Sequence, residues 1–106
     1  MKMTLVTANI SGGTVVSPSQ SKQVVKKKYP DYKVIVLNDD FNTFDHVSSC
    51  LIQYIPNMSS DRAWELTNQI HFDGQALVWS GPLELAEMYH QQLRREGLTM
   101  APLEAS

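Results

Sequence analysis

The sequence predicts a single α+β domain, in which a three-stranded antiparallel sheet packs against three helices in a two-layer sandwich. Strand-like apolar runs and segments of helical spacing follow one another in the order β-α-α-β-α-β between residues 32 and 103. Strands and helices of this length must bury one apolar face against another, which favours two layers. With 106 residues, of which 42% are hydrophobic, the chain is long enough for one core only.

Residues 1–30 differ in composition from the rest of the chain. They combine Thr, Ser, Gly and Gln with the basic run 26–28, and no helical or strand period persists. We therefore expect a flexible N-terminal extension over residues 1–30 and a folded domain over residues 31–106. The first residues lack the unbroken apolar stretch of a signal peptide, and no run is long enough to cross a membrane.

The folded part begins with a buried strand. Tyr32–Leu37 is β-rich and nearly continuous in apolar character, and the turn residues 38–40 end it. Thr43 suits the N-cap of a first helix that ends before Pro56. The residues that recur at helical spacing in this helix are Phe44, Val47, Leu51 and Ile55.

A second helix follows, with Ser59 or Ser60 as its cap and Gly74 suited to a left-handed turn at its end. Its inward face is predicted to carry Ala63, Leu66, Thr67 and Ile70.

The last three elements are a strand, a helix and a strand. Residues 76–79 are typical of a second strand, and Pro82 fits the first position of the third helix. Gly97 ends this helix, and residues 98–103 are predicted to form the last strand. The residues predicted to face inward from the third helix are Leu85, Met88, Tyr89 and Leu93.

Composition excludes several classes of partner. The net charge of −2 gives no reason to expect nucleic acid or a membrane surface. The single cysteine, Cys50, cannot form an internal disulfide, so we expect a cytoplasmic protein. No metal or nucleotide motif is present, and we expect no cofactor.

Two features have both a structural and a chemical interpretation. Asn38-Asp39-Asp40 is an ordinary turn by composition, and His71 is an ordinary histidine at a helix C-terminus. Asp39 or Asp40 together with His71 would also make a legitimate acid–base set for a small hydrolase. That alternative lacks a nucleophile, because Cys50 lies in a helix without an activating partner.

Four segments carry a resemblance to a known family. Residues 32–41, YKVIVLNDDF, resemble the signature strand and turn of the ClpS family, and QIHFDG at 69–74 is similar to the end of its next long helix. LELAE at 83–87 and PLE at 102–104 resemble the later family motifs. The chain is most similar to the cyanobacterial and plastid branch of the family.

The resemblance implies an adaptor that is not itself an enzyme. Family members bind substrates that begin with Leu, Phe, Tyr or Trp and deliver them to the Clp AAA+ unfoldase ClpA or ClpC, and we expect a monomer. The implied ligands of the substrate amine are Asn38, Asp39 and His71. The implied wall of the side-chain pocket is Val36, Leu37, Asn42, Phe44, Val47, Thr67, Ile70 and Thr99. The implied unfoldase contacts are Glu84 and Tyr89.

The pocket wall departs from the common bacterial pattern of the family. Phe44 and Thr67 stand where Met is usual, Asn42 stands where Thr is usual, and Thr99 stands where Leu is frequent. We expect Phe44 to narrow the mouth of the pocket, and Thr67 and Thr99 to make its interior more polar. The alternative is a binding module of the same fold with a different peptide or protein partner.

Overall fold

The computed structural model describes residues 29–106, and the predictions about residues 1–28 lie outside this range. The element order β-α-α-β-α-β is confirmed, as is the α+β sandwich of three helices and three strands. The elements are β1 Tyr32–Leu37, α1 Phe44–Tyr54, α2 Ser60–Asp73, β2 Gln75–Gly81, α3 Leu83–Arg95 and β3 Glu104–Ala105. Among residues 29–106, no helix combines the length and apolar character that crossing a bilayer requires.

The first strand is the centre of the sheet. The strand order is β2-β1-β3, and β1 runs antiparallel to both neighbours. The register between β1 and β2 shifts after Val34. Val34 pairs with Trp79, but the next residue, Ile35, pairs with Leu77, so Val78 is an extra residue on β2. A bulge of this kind bends a strand and increases its local twist.

The last strand is shorter and lies later than predicted. Residues 98–103 do not form a regular strand, and β3 covers only Glu104–Ala105. Residues 99–101 nevertheless run beside β1: the Leu37 N–H donates to the Thr99 carbonyl at 2.8 Å, and the Ala101 N–H donates to the Ile35 carbonyl at 3.0 Å. Pro102 follows and has no N–H to donate, so the ladder cannot continue through it.

The predicted helix ends are largely confirmed. The hydroxyl oxygen of Thr43 accepts from the His46 N–H at 3.1 Å, and that of Ser59 accepts from the Arg62 N–H at 3.0 Å. Gly74 ends α2 with φ of 94°, a left-handed conformation that glycine adopts without steric cost. Pro82 is the cap residue of α3 and not its first helical residue, since the helix begins at Leu83.

The core lies between the helices and one face of the sheet. Its largest fully buried side chains come from β1 and all three helices: Val34, Val36, Leu51, Leu66 and Leu93. The predicted inward face of α2 is confirmed, because Ala63, Leu66, Thr67 and Ile70 are all buried.

The predicted inward face of α3 is partly wrong. Leu93 is buried and Tyr89 is half-buried, but Leu85 and Met88 are exposed at 41% and 40%. Ala86, with no exposed surface, takes the place expected for Leu85. Ala86 and Leu93 are seven residues apart, so they share one face of the helix and turn the neighbouring leucine outward.

The different burial of two leucines in α3 gives a stability prediction. Leu93→Ala removes a fully buried side chain and should lower the free energy of unfolding by about 2–5 kcal/mol. Leu85→Ala is the matched control and should change it by only about 0.5 kcal/mol. Urea denaturation followed by circular dichroism measures both values. Equal losses for the two variants would contradict the observed orientation of α3.

Candidate functional site

A pocket of about 440 Å³ opens between the loop that follows β1 and the facing sides of α1 and α2. The β1–α1 loop, residues 38–43, forms one side, and the first turns of α1 and the second half of α2 form the others. The residues that line it are Asn38, Asp39, Asp40, Asn42, Thr43, Phe44, Val47, Thr67, Ile70 and His71. All three predicted amine ligands and five of the predicted wall residues are therefore at one pocket.

Polar groups meet at one end of this pocket because the β1–α1 loop is joined to the end of α2. The Asn38 N–H donates to the carbonyl oxygen of Gly74 at 2.9 Å. Gly74 is the C-cap of the helix whose last turn carries His71. The exit of β1 and the end of α2 are thus fixed side by side, and both Asn38 and His71 are solvent-exposed there.

Asp39 is the most strongly hydrogen-bonded side chain of the site. One carboxylate oxygen accepts from the backbone N–H groups of Phe41 at 2.8 Å and Asn42 at 2.7 Å. The other accepts from the Asn42 amide and the Thr99 hydroxyl, both at 2.7 Å. The backbone hydrogen bond from Asn42 and, after it, the Thr99 hydroxyl hold the pKa of Asp39 well below its ordinary value. Asp39 is therefore ionised at neutral pH, and its four acceptor positions are filled.

The same loop is joined to the end of α3 through Asn42. The side-chain amide nitrogen of Asn42 donates to Asp39 and also to the Gly97 carbonyl, at 2.9 Å. Gly97 has φ of 95°, the left-handed conformation that lets the chain turn after α3. Asn42 thus links two segments that are far apart in sequence.

The other side of the pocket is mainly apolar. Phe44 and Val47 contribute from α1, and Ile70 contributes from α2. Thr67 is 3% exposed and donates its hydroxyl hydrogen to the Ala63 carbonyl one helical turn earlier, at 2.7 Å. Its only hydroxyl donor is used within the helix, so Thr67 makes this wall less polar than expected.

Three predicted wall residues do not line this pocket. Val36 is 1% exposed and belongs to the core. Leu37 lies at the end of β1, and the Thr99 hydroxyl is directed to the Asp39 carboxylate. Conversely, Asp40 and Thr43 line the pocket although neither is among the predicted amine ligands or wall residues, and Asp40 is predicted at a site only in the hydrolase alternative. The sequence offers one indication of this, because Asp40 directly follows Asp39 and Thr43 directly precedes Phe44.

The two residues implied as unfoldase contacts lie on α3. Glu84 is exposed in the first turn of that helix and borders a second, larger pocket of about 940 Å³. The ring of Tyr89 packs edge-on against Trp79, with centroids 4.8 Å apart. Tyr89 is thus partly engaged with the sheet, whereas Glu84 is open to solvent.

The single cysteine has the environment of a structural thiol. Its Sγ lies 3.6 Å from Nε2 of His46, and that nitrogen lies 2.8 Å from the Glu96 carbonyl oxygen. A carbonyl only accepts, so Nε2 carries the hydrogen and cannot take a proton from the thiol. Burial raises the pKa of Cys50 and keeps it protonated. Within residues 29–106, no three His, Cys, Asp or Glu side chains form a possible metal site.

The fold and the pocket between the β1–α1 loop, α1 and α2 define a small α+β binding domain. The pocket has polar acceptor groups at one end and an apolar wall beside them. Residues 27–106 match the family model described as ATP-dependent Clp protease adaptor protein ClpS. The chain belongs to the ClpS family of Clp protease adaptors.

Related proteins place the chain within this family. It is 71% identical over 89 residues to the ClpS adapter of Thermosynechococcus vestitus, with 84% of this chain and 95% of that protein covered. It is 66% identical over 97 residues to the ClpS adapter of Nostoc sp., with 92% of this chain and 100% of that protein covered. Both organisms are cyanobacteria, and the assignment to the cyanobacterial and plastid branch is confirmed.

A solved structure of another family member is also similar. Agrobacterium tumefaciens ClpS2 bound to L-phenylalaninamide aligns with a TM-score of 0.65 and 26% sequence identity. The alignment covers 74% of this chain and 100% of that chain.

The hydrogen bonds to Asp39 predict how stability depends on pH. The folded state lowers the pKa of Asp39, so its contribution is present above the unfolded value of about 3.9 and is lost as pH falls below it. The stability advantage of the wild type over Asp39→Asn should therefore be largest near neutral pH and shrink below about pH 4. Urea titrations between neutral and acidic pH measure this difference.

Asp40→Asn is the matched control, because no hydrogen bond joins the Asp40 carboxylate to another residue within 29–106. Its stability should follow that of the wild type across the pH range. A constant difference between the wild type and Asp39→Asn would contradict the role assigned to the four hydrogen bonds.

Proposed function

We propose that this chain binds the free N-terminal residue of substrate proteins in the pocket and delivers the substrates to a Clp AAA+ unfoldase. The preferred first residues are Leu, Phe, Tyr and Trp, and the unfoldase is ClpC or ClpA. One observation supports this proposal above all. The polar groups of residues 38–40 and 71 line the same pocket as the apolar wall that Phe44, Val47 and Ile70 form. The solved relative supports it, since its ligand combines a free amine with a phenylalanine side chain.

An α-ammonium group has three N–H donors and one positive charge, so it requires fixed acceptors and a nearby negative charge. Asn38 offers its side-chain oxygen, and His71 offers a ring nitrogen in the neutral form. Asp39 supplies negative charge, but its acceptor positions are already filled by the loop and Thr99. We assign the direct contact to Asp40, which lines the same pocket.

The first side chain would enter the apolar part of the pocket. Burying a large aliphatic or aromatic side chain contributes about 1.5–3 kcal/mol. Phe44 is stiffer than the methionine usual in the family and stands at the first residue of α1. A rigid ring at the mouth favours Leu, Phe, Tyr and Trp over residues branched at Cβ.

The site favours binding over catalysis. Asp39 remains ionised with a lowered pKa, and a general base works best when its pKa is near the operating pH. The Thr67 hydroxyl donates to the helix backbone, and the Thr43 oxygen caps α1. The Cys50 thiol is buried and protonated. An adaptor without enzymatic activity fits these contacts better than a hydrolase.

Delivery requires a separate contact with the unfoldase. We assign it to α3, where Glu84 and Tyr89 are implied contacts and where Leu83, Leu85 and Met88 are exposed at 41%, 41% and 40%. Exposed apolar side chains beside a charged residue are typical of interaction surfaces. We further assign residues 1–30 to engagement by the unfoldase.

The amine contacts give a direct test. A peptide that begins with free Leu or Phe should bind, and its N-acetylated twin should bind about tenfold to a hundredfold more weakly. Acetylation removes the charge and two of the donors. Fluorescence anisotropy with labelled peptides measures both affinities. Equal affinities would favour the alternative, a module of this fold with another partner.

The same assay separates the two carboxylates. Asp40→Asn should weaken binding of the free peptide about tenfold without changing the unfolding midpoint, because it loses a charge-assisted hydrogen bond. Asp45→Asn is the control, since it removes an equal charge from the first turn of α1 outside the pocket lining. Equal weakening by both variants would indicate a general field effect in place of a contact.

The division between binding and delivery is tested by truncation. A chain in which an initiating Met directly precedes Tyr29 keeps every residue that lines the pocket, does not itself begin with a preferred first residue, and should bind the peptide with unchanged affinity. It should fail to accelerate degradation of a Leu-initiated substrate by the Clp unfoldase and its protease. Full acceleration by the shortened chain would refute the role assigned to residues 1–30.

A further inference from the structure

A group of side chains outside the pocket joins α1 to the end of α3. His46, Cys50 and Tyr54 are spaced four residues apart and therefore lie on one face of α1. Nε2 of His46 lies 2.8 Å from the carbonyl oxygen of Glu96, and the Tyr54 hydroxyl donates to the Glu96 carboxylate at 2.6 Å. We refer to His46, Tyr54 and Glu96 together as the Glu96 cluster. In this cluster, α1 holds both the backbone and the side chain of the residue that ends α3.

The two bonds of the Glu96 cluster are suited to fixing a helix end. Glu96 is the C-cap of α3, and the last carbonyl groups of a helix have no partner within it. His46 supplies a donor to one of these carbonyl groups. The bond from Tyr54 is charge-assisted because its acceptor is a carboxylate, and this bond raises the pKa of Tyr54 above its ordinary value. Tyr54 therefore keeps its hydrogen and remains a donor at neutral pH.

The residues that directly follow Glu96 are bonded to the β1–α1 loop. The Gly97 carbonyl accepts from Asn42 at 2.9 Å, and the Thr99 hydroxyl donates to the Asp39 carboxylate at 2.7 Å. Gly97 has φ of 95°, and glycine is compatible with many backbone conformations. Gly97 alone therefore does not fix the path of the chain after α3, and the position of Thr99 depends on how the residues around it are held.

Residues 97–99 are held from two sides. On the side of the sheet, the Leu37 N–H donates to the Thr99 carbonyl at 2.8 Å. On the side of the helices, the Glu96 cluster fixes the residue from which this segment starts. The Thr99 hydroxyl must lie within hydrogen-bond distance of the Asp39 carboxylate, so both attachments determine where this donor is placed.

We propose that His46 and Tyr54 are positioning residues for the amine end of the pocket. By holding Glu96, they place the Thr99 hydroxyl against Asp39 and so keep the β1–α1 loop in the conformation that presents its acceptors to the substrate amine. This inference rests on the proposed capture of a free N-terminus in the pocket. Neither His46 nor Tyr54 lines the pocket, so both act through the loop and not by contact with the substrate.

The test measures the affinity of the full chain for a labelled peptide that begins with free Leu and for its N-acetylated twin. Tyr54→Phe removes one hydroxyl and should weaken binding of the free peptide about threefold, and the double variant His46→Leu/Tyr54→Phe should weaken it about tenfold. Binding of the acetylated peptide should stay within about twofold, because the apolar wall is unchanged. Tyr32→Phe is the matched control and should bind as the wild type does, since the Tyr32 hydroxyl has no hydrogen bond to another residue within 29–106.

The titration of Asp39 gives a second readout that needs no peptide. In the double variant the Thr99 hydroxyl is held less closely, so the pKa of Asp39 should rise toward its ordinary value. NMR of the side-chain carboxyl carbons follows this titration. His46→Gln keeps a side-chain N–H donor for the Glu96 carbonyl, and it should leave both the Asp39 titration and the peptide affinity close to those of the wild type.

Three outcomes separate the positioning role from its alternatives. An Asp39 titration that does not move in the double variant would overturn the inference whatever the peptides show, and a lower unfolding midpoint alone would then mean a purely structural role. An equal loss of affinity for the free and the acetylated peptide would also overturn it, because the amine end would not be the part affected. A wild type that binds both peptides equally would refute the proposed function, whereas the titration tests the Glu96 cluster independently of it.

Discussion

The four hydrogen bonds accepted by the Asp39 carboxylate are the interaction on which the geometry of the site depends. Two come from backbone N–H groups of its own loop, one comes from the Asn42 side chain and one from Thr99. A loop of Asn and Asp residues can adopt many turn conformations, and these bonds select one of them. The loop is joined on its other side to the end of α2 by the bond between Asn38 and Gly74.

The two neighbouring carboxylates of the β1–α1 loop can have different roles because their surroundings differ. Asp39 and Asp40 are adjacent and chemically identical, yet among the contacts within residues 29–106 only Asp39 is surrounded by donors from the protein. A carboxylate whose lone pairs are filled supplies charge and rigidity, whereas one that faces a pocket without internal partners can accept from a ligand. The family resemblance implies Asp39 and not Asp40 as the amine ligand, whereas the filled acceptor positions of Asp39 are the reason that we propose Asp40 for the direct contact.

Much of the architecture follows from local sequence. The caps Thr43, Ser59 and Gly74 and the buried face of α2 could be predicted because each depends on a few neighbouring residues. The orientation of α3 could not, since it is decided by the close packing of Ala86, which is too small to stand out in an apolar pattern. The family resemblance implies Asn38, Asp39 and His71 as amine ligands, and the structure places these three residues at one pocket, while their role stays a prediction.

The contacts that complete the site could not be predicted from local pattern, because they are long-range. Asn42 reaches the Gly97 carbonyl across 55 positions, and Thr99 reaches Asp39 across 60. The spacing of apolar and polar residues along the sequence does not indicate hydrogen bonds between residues so far apart. The family resemblance implies Thr99 in the wall of the pocket, whereas its hydroxyl donates to the Asp39 carboxylate and the residue does not line the pocket.

The bond between Thr99 and Asp39 also sets an order for assembly during synthesis. The β1–α1 loop leaves the ribosome 60 positions before the residue that completes its hydrogen bonding. A nascent chain that ends before Thr99 lacks that donor, and it also lacks the backbone partners that residues 99–101 offer to β1. The pocket therefore reaches its final geometry only when nearly the whole domain has been translated, so an unfinished chain does not yet have the complete pocket.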